Sequence, residues 1–282
     1  MRKVFSKGIH DCPVLSNEEV ARGVFLMCLH APDIAARASP GQFVNVNVHA
    51  PGADEIIPLL RRPFSICQSD RQAGRISVLW KAIGPGTRLL VSHRIGEVLN
   101  LIGPLGQGYR LPETNSKVIL IAGGLGVAPL PILAATLRVR RFSFEVLLGA
   151  RTGAELWGDE ELKNLGGEIH LATDDGSAGH HGLVTELLES RLRAGVPASA
   201  HEPRTQVYAC GPMPMLRRVA EICGAAKVPA QVAVETMMGC GFGICMGCPV
   251  EPEGGVAQRG RYFLACMDGP VFRAEDIRYG QL

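Results

Sequence analysis

The sequence predicts a multidomain β + α/β fold: an antiparallel β-barrel, a doubly wound parallel sheet and a small C-terminal domain on a cysteine loop. Short strand signals follow one another without helices over residues 1 to about 110. From Lys117 onward, apolar strand runs alternate with helical stretches. Near the C-terminus, three cysteines fall within nine residues. We predict domains at 1–112, 113–230 and 231–282.

The barrel is predicted from one clearly alternating strand and several β-rich runs. Between Gln42 and His49, the residues Val44, Val46 and Val48 alternate with polar ones, which is the period of a half-buried strand. Further runs of this kind are 24–29, 61–68, 75–83 and 97–102. Strands at such spacing, cut by Gly and Pro, are typical of an antiparallel barrel.

The parallel sheet is predicted from four apolar strands and the helices around them. The first strand, Val118–Ala122, is followed by a glycine turn and a helix from Pro129 to about Arg140. The other strands are predicted at 144–149, 168–172 and 206–210, and the other helices at 154–165, 183–194 and 213–225. Strands that alternate with helices indicate βαβ units. Residues 231–238 are predicted to be a linker to the cysteine loop.

Composition excludes several classes of function. The 282 residues carry a net charge of +2 and contain no basic stripe interleaved with aromatics, which argues against nucleic-acid binding. The uncharged run from Val118 to Leu137 is long enough to span a bilayer, but glycines and prolines interrupt it, so we expect no membrane span. Nine cysteines without a secretory signal indicate a cytoplasmic protein whose thiols serve a metal.

The cysteine loop has the spacing of an iron–sulfur ligand set. Cys240, Cys245 and Cys248 form a C-x4-C-x2-C pattern, and Cys266 follows after seventeen further residues. This is the plant-type pattern of a [2Fe-2S] cluster. The intervening glycines allow backbone N–H groups to point at sulfur. A structural zinc site is the alternative, although such sites usually pair two C-x2-C knuckles.

A flavin site is indicated by three short segments in the barrel. Arg62-Pro63-Phe64-Ser65 offers a guanidinium for a diphosphate and a hydroxyl for a flavin ring nitrogen. Leu79-Trp80-Lys81 lies on the next strand, and Gly86-Thr87 opens a short helix whose amides, with the Thr hydroxyl, suit an anion. Each segment alone is also explained by an ordinary strand or capped turn. Chance explains the combination at this spacing much less well than it explains any one segment.

A nicotinamide dinucleotide site is indicated at the carboxyl ends of two sheet strands. Gly123-Gly124-Leu125-Gly126 follows the first strand, although Pro129 replaces the third glycine of the G-x-G-x-x-G pattern. Cys210-Gly211-Pro212 follows the last predicted strand and is expected near the nicotinamide. A tight turn and a buried thiol are the alternatives. Arg151 and the loop at 173–177 leave NAD and NADP open as the nucleotide.

The motifs together resemble the ferredoxin-reductase flavoprotein superfamily. The cluster loop, with Cys266-Met-Asp-Gly-Pro-Val-Phe272, most resembles the electron-transfer subunits of type B, NAD-dependent dihydroorotate dehydrogenases of pyrimidine biosynthesis. Relative to that family, the gap before Cys266 is a few residues longer, and Trp80 stands where Tyr is common. The resemblance implies FAD contacts at Arg62–Ser65, Leu79–Lys81 and Gly86-Thr87. It also implies four cluster ligands, Cys240, Cys245, Cys248 and Cys266.

The resemblance further implies an electron path from NAD(H) through FAD and the cluster to a partner. The chain offers no obvious base for dihydroorotate, so we expect oxidation on a separate catalytic flavoprotein subunit, in a complex with two copies of each chain. Two alternatives in the same superfamily are the flavin/iron–sulfur subunit of a soluble hydrogenase and that of a ferredoxin–NADP transhydrogenase. A zinc-binding interaction module without electron transfer is a third.

Overall fold

The N-terminal part of the chain forms a closed barrel in the computed structural model, which describes residues 8–49, 58–113, 116–194 and 204–280. All its strand pairs are antiparallel, in the order β1-β2-β5-β4-β3-β6. The strands are β1 (Gly8–Ala21), β2 (Val24–His30), β3 (Phe43–Val46), β4 (Arg62–Asp70), β5 (Arg75–Lys81) and β6 (Val98–Leu105). Two short helices accompany them, α1 (Pro32–Arg37) and α2 (Pro85–Val91).

Strands β2 to β6 confirm the predicted β-rich runs, whereas β1 has no counterpart among them. This strand pairs with both β2 and β6 and thereby closes the barrel. Its register with β2 shifts between Val14 and Ser16 and again between Glu19 and Ala21. Each shift breaks the alternation of buried and exposed residues, so the period-2 signal of a strand is absent from this stretch.

The second part of the chain is a seven-stranded sheet in the order β10-β9-β8-β7-β11-β12-β15. Its strands are β7 (Lys117–Gly123), β8 (Phe144–Ala150), β9 (Gly167–Thr173), β10 (His180–His181), β11 (Thr205–Cys210), β12 (Ala230–Ala233) and β15 (Val271–Arg273). The helices are α3 (Leu130–Val139), α4 (Asp159–Asn164), α5 (Val184–Ala194) and α6 (Met213–Ala226). Every strand pair is parallel except β12 with β15.

Helices cover both faces of the sheet, as expected for a doubly wound fold. Leucines of α3 and α4 pack in one apolar cluster, and apolar residues of α5 and α6 pack in another on the opposite face. The run Val118–Leu137 becomes strand β7, a 3-10 turn at Gly124–Val127 and helix α3. Within the described part of the chain, no helix is long and apolar enough to cross a membrane.

The C-terminal part is attached to the sheet rather than suspended from a linker. It contains the hairpin of β13 (Pro249–Val250) and β14 (Phe263–Leu264), with α7 (Val256–Arg259) between them. Three of the four residues of β12 lie in the stretch predicted as a linker, and β15 pairs with this strand from the far side of the cysteine loop. A four-residue buried strand carries too little pattern to be distinguished from a loop. The sheet therefore continues across the predicted boundary at 230.

Candidate flavin, nucleotide and cluster sites

A cleft opens where barrel strands β4 and β5 face the turn after β7 and the segment after β12. Its volume is about 250 Å³. It is lined by Phe43, Pro63, Phe64, Ser65, Leu79, Trp80, Lys81, Ile83, Thr87, Leu125, Ala128, Val234, Glu235, Thr236, Met238 and Pro270. Most of these side chains are apolar, and a few polar groups stand among them. This mixture suits a planar aromatic ring system with polar edges.

Arg62 and Gly86 adjoin this cleft without lining it. A Cβ on Gly86 would lie 3.1 Å from Arg62 Nε, so the glycine lets the guanidinium pack against the start of α2. Arg62 Nη1 donates a hydrogen bond of 2.5 Å to the Leu60 carbonyl oxygen. The cation and the first turn of the helix thus lie side by side, the arrangement a diphosphate needs.

Three predicted flavin contacts already have partners within the chain. Thr87 Oγ1 accepts from the Gly84 N–H at 3.0 Å and donates to the Gly84 carbonyl at 3.1 Å, which caps α2. Lys81 Nζ lies 3.0 Å from a carboxylate oxygen of Glu155. This ion pair links the barrel to the segment that follows β8 of the parallel sheet. The Trp80 ring stacks on Phe25 at 4.7 Å. A ligand that bonds Thr87 or Lys81 therefore competes with these contacts.

Glu235 is a cleft residue that sequence analysis missed. It follows the end of β12, and its side chain lines the cleft with Ser65 and Thr236. The residue is exposed at the rim, yet desolvation by the surrounding protein raises the pKa of its carboxyl. Burial, with a contribution from the charge of Glu235, raises the pKa of Cys210. The position of Glu235 at the carboxyl end of a parallel strand is the one signal that could have identified it.

The two predicted nucleotide segments lie in contact at the carboxyl ends of β7 and β11. A Cβ on Gly126 would lie 2.1 Å from the Cys210 carbonyl oxygen and 2.6 Å from the Gly211 nitrogen. A Cβ on Gly123 would lie 2.6 Å from Met215 Sδ, beside Pro212. Gly124 has φ of +54°, a left-handed conformation that glycine adopts without strain. Close backbone packing explains why glycines occupy this turn.

The sheet edge beyond this turn brings the remaining nucleotide candidates together. The Asp174 N–H bonds the Ala150 carbonyl at 3.1 Å, and the Asp175 N–H bonds the Arg151 carbonyl at 3.2 Å. The Asp175 carboxylate accepts hydrogen bonds from the N–H and hydroxyl of Ser177. The loop at 173–177 therefore flanks Arg151 through backbone hydrogen bonds, so one basic and two acidic residues follow the ends of β8 and β9.

The four cysteines of the predicted cluster site stand as two pairs. The Cys248 and Cys266 sulfurs are 3.3 Å apart, and the Cys245 thiol hydrogen-bonds the Cys240 sulfur. Among the described residues, no three His, Cys, Asp or Glu side chains converge on a single metal ion. All nine cysteines are free thiols. Two pairs of sulfur ligands match a two-iron cluster, in which each iron takes two thiolates.

Backbone N–H groups of the loop point at these sulfurs. The N–H groups of Ile244 and Cys245 lie 3.4 and 3.5 Å from the Cys240 sulfur, and that of Gly247 lies 3.4 Å from the Cys245 sulfur. Desolvation raises the pKa of Cys240, but the N–H groups outweigh it and lower the pKa to about 6. The loop is therefore preorganised for negative charge on sulfur, which favours thiolate ligands.

The two pairs differ in burial. Cys248 and Cys266 are buried in the apolar cluster that also covers one face of the sheet. Cys245 is exposed, and Cys240 is partly exposed. Burial and the Cys248 thiol raise the pKa of Cys266, so a bound cation is needed to hold this sulfur as thiolate. One side of the site is anchored in the fold, and the other faces outward.

Comparison with protein-family models assigns two regions of the chain. Residues 235–278 match the iron-sulfur cluster binding domain of dihydroorotate dehydrogenase B, and residues 120–221 match the oxidoreductase NAD-binding domain. The first contains the cysteine loop, and the second runs from β7 into α6. Both matches agree with the chemistry expected from the residues.

Curated relatives match almost the full chain. A protein of Desulforamulus reducens is 37% identical over 274 residues, covering 96% of this chain and 97% of its own length. One of Geobacillus kaustophilus is 38% identical over 267 residues, covering 94% and 96%. Both are described as the electron transfer subunit of dihydroorotate dehydrogenase B (NAD(+)).

Solved structures share the fold. An NADH-dependent reduced ferredoxin-NADP oxidoreductase, studied for flavin-based electron bifurcation, has a TM-score of 0.80 and 28% identity, covering 96% of this chain and 91% of that one. Phthalate dioxygenase reductase has a TM-score of 0.59 and 21% identity, covering 87% and 72%. The second likeness concerns the fold alone. Both agree with the predicted order of barrel and sheet.

Proposed function

We propose a function for this chain from the family to which it belongs, the electron transfer subunits of NAD-dependent dihydroorotate dehydrogenase B. The chain passes electrons between NAD and a separate catalytic subunit that oxidises dihydroorotate. It does so with FAD and a [2Fe-2S] cluster. When bound, FAD connects two-electron hydride chemistry with the one-electron chemistry of the cluster.

One observation carries this proposal: the flavin cleft and the cysteine loop are joined by a single short segment. Residues 234, 235, 236 and 238 line the cleft, and Cys240 follows two residues after Met238. An electron leaving the cleft therefore needs to cross only a few residues to reach the first thiolate. Cleft and loop are therefore neighbouring binding sites joined by one short segment.

In the cleft, the chain's own side chains bind and orient the flavin. Phe64 and Leu79 offer apolar surface to the ring, and the Ser65 hydroxyl suits a ring nitrogen. Arg62, beside the first turn of α2, offsets the charge of the diphosphate. Thr87 stabilises that turn through its cap and keeps the amides of the helix start in place.

The nucleotide binds where the turn Gly123–Gly126 meets Cys210-Gly211-Pro212. The turn and the strand end pack against each other through backbone atoms, so both segments lie together at the carboxyl ends of β7 and β11, where parallel sheets of this kind bind dinucleotides. Glu235 and Cys210 then lie beside the place where nicotinamide and flavin rings approach each other. Burial keeps the Cys210 thiol protonated, so its role there is contact rather than nucleophilic attack.

In a bound cluster, Cys240 and Cys245 would hold one iron, and Cys248 and Cys266 would hold the other. The N–H groups of residues 244, 245 and 247 stabilise the sulfurs as thiolates. Buried Cys248 and Cys266 fix the cluster to the sheet. The exposed half of the loop is left for contact with the partner.

The partner is a catalytic flavoprotein subunit, in a complex with two copies of each chain. The apolar residues around the thiols divide into two groups: Met238 and Phe242 pack on the apolar cluster of the sheet, whereas Met237, Ile244 and Met246 are exposed by 88%, 74% and 61%. Exposed apolar side chains beside a redox centre suit a protein interface. A cytoplasmic location follows from the nine free thiols.

A ferredoxin–NADP oxidoreductase subunit is the second candidate, because such a protein shares the fold at a TM-score of 0.80. The family favours the first, since the relatives at 37% and 38% identity are dihydroorotate dehydrogenase B subunits. The two candidates differ in the large subunit and in the substrates of the complex. Activity with dihydroorotate and NAD, against activity with reduced ferredoxin and NADP, separates them.

The test is to purify the chain with its native partners and analyse the complex. We expect one FAD, two irons and two acid-labile sulfides per chain, and NAD reduction driven by dihydroorotate. One zinc without sulfide would overturn the cluster. Recovery of only hydrogenase or ferredoxin–NADP oxidoreductase partners would support the electron-transfer role but contradict dihydroorotate dehydrogenase as the partner.

A further inference from the structure

Asn45, on barrel strand β3, is fully buried but does not belong to the barrel core. Its neighbours Val44 and Val46 pack in the apolar cluster inside the barrel. Asn45 therefore points to the outer surface, because successive side chains of a strand alternate. Phe43 points the same way and packs in the cluster that contains Cys248 and Cys266.

The side chain of Asn45 reaches the cysteine loop from the barrel. Its Nδ2 donates a hydrogen bond of 2.7 Å to the Cys240 carbonyl oxygen, across 195 residues of sequence. A Cβ on Gly241 would lie 2.8 Å from the same Nδ2, and Gly241 has φ of +81°. The loop thus closes onto Asn45 at a position that only glycine fits.

The backbone of Asn45 is tied to the flavin segment. In the antiparallel register of β3 and β4, Asn45 pairs with Pro63 and Phe43 pairs with Ser65. The Arg61 guanidinium donates to the Asn45 carbonyl oxygen at 3.4 Å and to the Asn100 carbonyl oxygen at 2.7 Å. One residue therefore contacts the flavin-binding strand through its backbone and the first cluster ligand through its side chain.

The polar identity of Asn45 is not explained by packing. Its Oδ1 is buried and has no hydrogen-bond partner among the residues that the structure describes. A buried amide with one unpaired end stabilises a fold less than an apolar residue of the same shape. What an apolar residue cannot supply is the bond to Cys240.

We propose that Asn45 is a positioning residue that fixes the Cys240 end of the cluster loop against the flavin-binding barrel, so that electron transfer between flavin and cluster depends on this bond. The inference rests on the proposed function of the chain. Asn45 acts through the main chain of a cluster ligand, as residues behind metal ligands do.

The test is a freeze-quench measurement on the purified holoprotein. Flavin absorbance reports reduction by NADH, and the electron paramagnetic resonance (EPR) signal of the cluster reports the following step. For Asn45→Leu, we expect flavin reduction at the wild-type rate and cluster reduction slowed about tenfold or more. The EPR line shape or midpoint potential of the cluster should change, and hydrogen exchange at residues 240–245 should rise.

Asn17→Leu is the matched control. Asn17 also lies in the barrel, and its Nδ2 donates to the main-chain carbonyls of Leu90 and His93, which are outside the cysteine loop. Its Oδ1, like that of Asn45, is buried without a hydrogen-bond partner in the described part of the chain. We expect wild-type cluster reduction and exchange in this variant. If Asn45→Leu fails to retain FAD, Asn45→Asp is used instead. This substitution replaces the Nδ2 donor with an oxygen acceptor at nearly constant shape, and we expect it to slow cluster reduction as well.

The inference is overturned if Asn45→Leu, or Asn45→Asp in its place, reduces its cluster at the wild-type rate with unchanged spectrum and exchange. It is also overturned if Asn17→Leu has the same defect, since the effect would then be general to the barrel. A wild-type protein without FAD or without a cluster would instead refute the proposed function, before Asn45 is tested.

Discussion

The nucleotide end and the cluster end of the molecule are built in opposite ways. At the nucleotide end, Gly126 lies so close to Cys210 that an added Cβ would overlap the backbone. At the cluster end, Cys245 is exposed, and Met237 and Ile244 project into solvent. The closely packed strand ends (the closed end) suit a dinucleotide, as in other open parallel sheets, whereas the exposed loop with apolar side chains (the open end) suits a protein. The contrast suggests that electrons pass between a small molecule at one end and a protein at the other.

The largest expected effect comes from Cys245→Ser at the open end. The cluster should be lost and dihydroorotate-linked NAD reduction abolished, because one iron loses a thiolate. FAD content and reduction of the flavin by NADH should remain, since the nucleotide end does not include the loop. Iron, sulfide and flavin analysis measures both outcomes. Cys28→Ser, outside the loop, should retain the cluster; loss of FAD in step with iron would contradict the separation of the ends.

At the closed end, Gly126→Ala should reduce kcat/KM for NADH about 100-fold. The added methyl group would meet the Cys210 carbonyl oxygen at 2.1 Å, so turn and strand end must separate, and a small displacement at a reacting site is costly. Stopped-flow reduction of the flavin by NADH measures the effect. Gly224→Ala in α6, where a Cβ has no neighbour within 4 Å, is the control and should be silent. Unchanged NADH kinetics in Gly126→Ala would refute a nucleotide site at this turn.

A smaller effect, about 10- to 100-fold, is expected from Ile244→Glu in dihydroorotate-linked NAD reduction. A charge placed at an apolar interface disrupts docking of the partner. The side chain of Ile244 itself contributes to neither the flavin site nor the cluster site. Ferricyanide reduction by NADH should be unchanged. Val139→Glu, at a residue 81% exposed on α3, should leave both activities intact. Equal losses in the two variants would show that charge, not position, matters.

Arg62→Ala should have the smallest of these effects, a loss of FAD affinity of about tenfold, which corresponds to a charge-assisted hydrogen bond of about 1.5 kcal/mol. The guanidinium is half-buried, so water only partly replaces it. Flavin content after dialysis and titration with FAD measure the change, with Arg94→Ala, an exposed barrel residue, as control. Full flavin retention by Arg62→Ala would contradict the proposal that Arg62 contacts the FAD diphosphate.

Sequence reasoning reached the elements and motifs that are local in the chain. The glycine turn, the strand-end Cys210 segment and the four cysteines could be proposed as site residues because each is a short pattern with a chemical meaning. It failed where the deciding contact is distant. Asn45 bonds Cys240 from 195 residues away, and Glu235 enters the cleft because β12 joins the sheet, a strand of four residues without a distinguishing pattern.

The apolar residues of the cysteine loop illustrate the same limit. As a stretch of sequence, Met237, Met238, Phe242, Ile244 and Met246 form one apolar group around the thiols. The fold divides them, since Met238 and Phe242 pack inward and the other three face solvent. No helix or strand period runs through this loop, so the sequence carries no information on which side chains turn inward. A docking test therefore uses Ile244, which is exposed, rather than Phe242, which packs inward.

We expect electrons to enter the chain separately at the nucleotide end and at the cluster end. The most direct test is to reduce the cluster through each end in turn, in the complex with the catalytic subunit. EPR follows the cluster after rapid mixing with either NADH or dihydroorotate, without turnover. We expect Gly126→Ala to slow reduction by NADH but not by dihydroorotate, and Ile244→Glu to slow reduction by dihydroorotate but not by NADH. If either variant slows both reductions equally, or if both variants slow the same one, the two ends are not the separate entrances that the structure indicates.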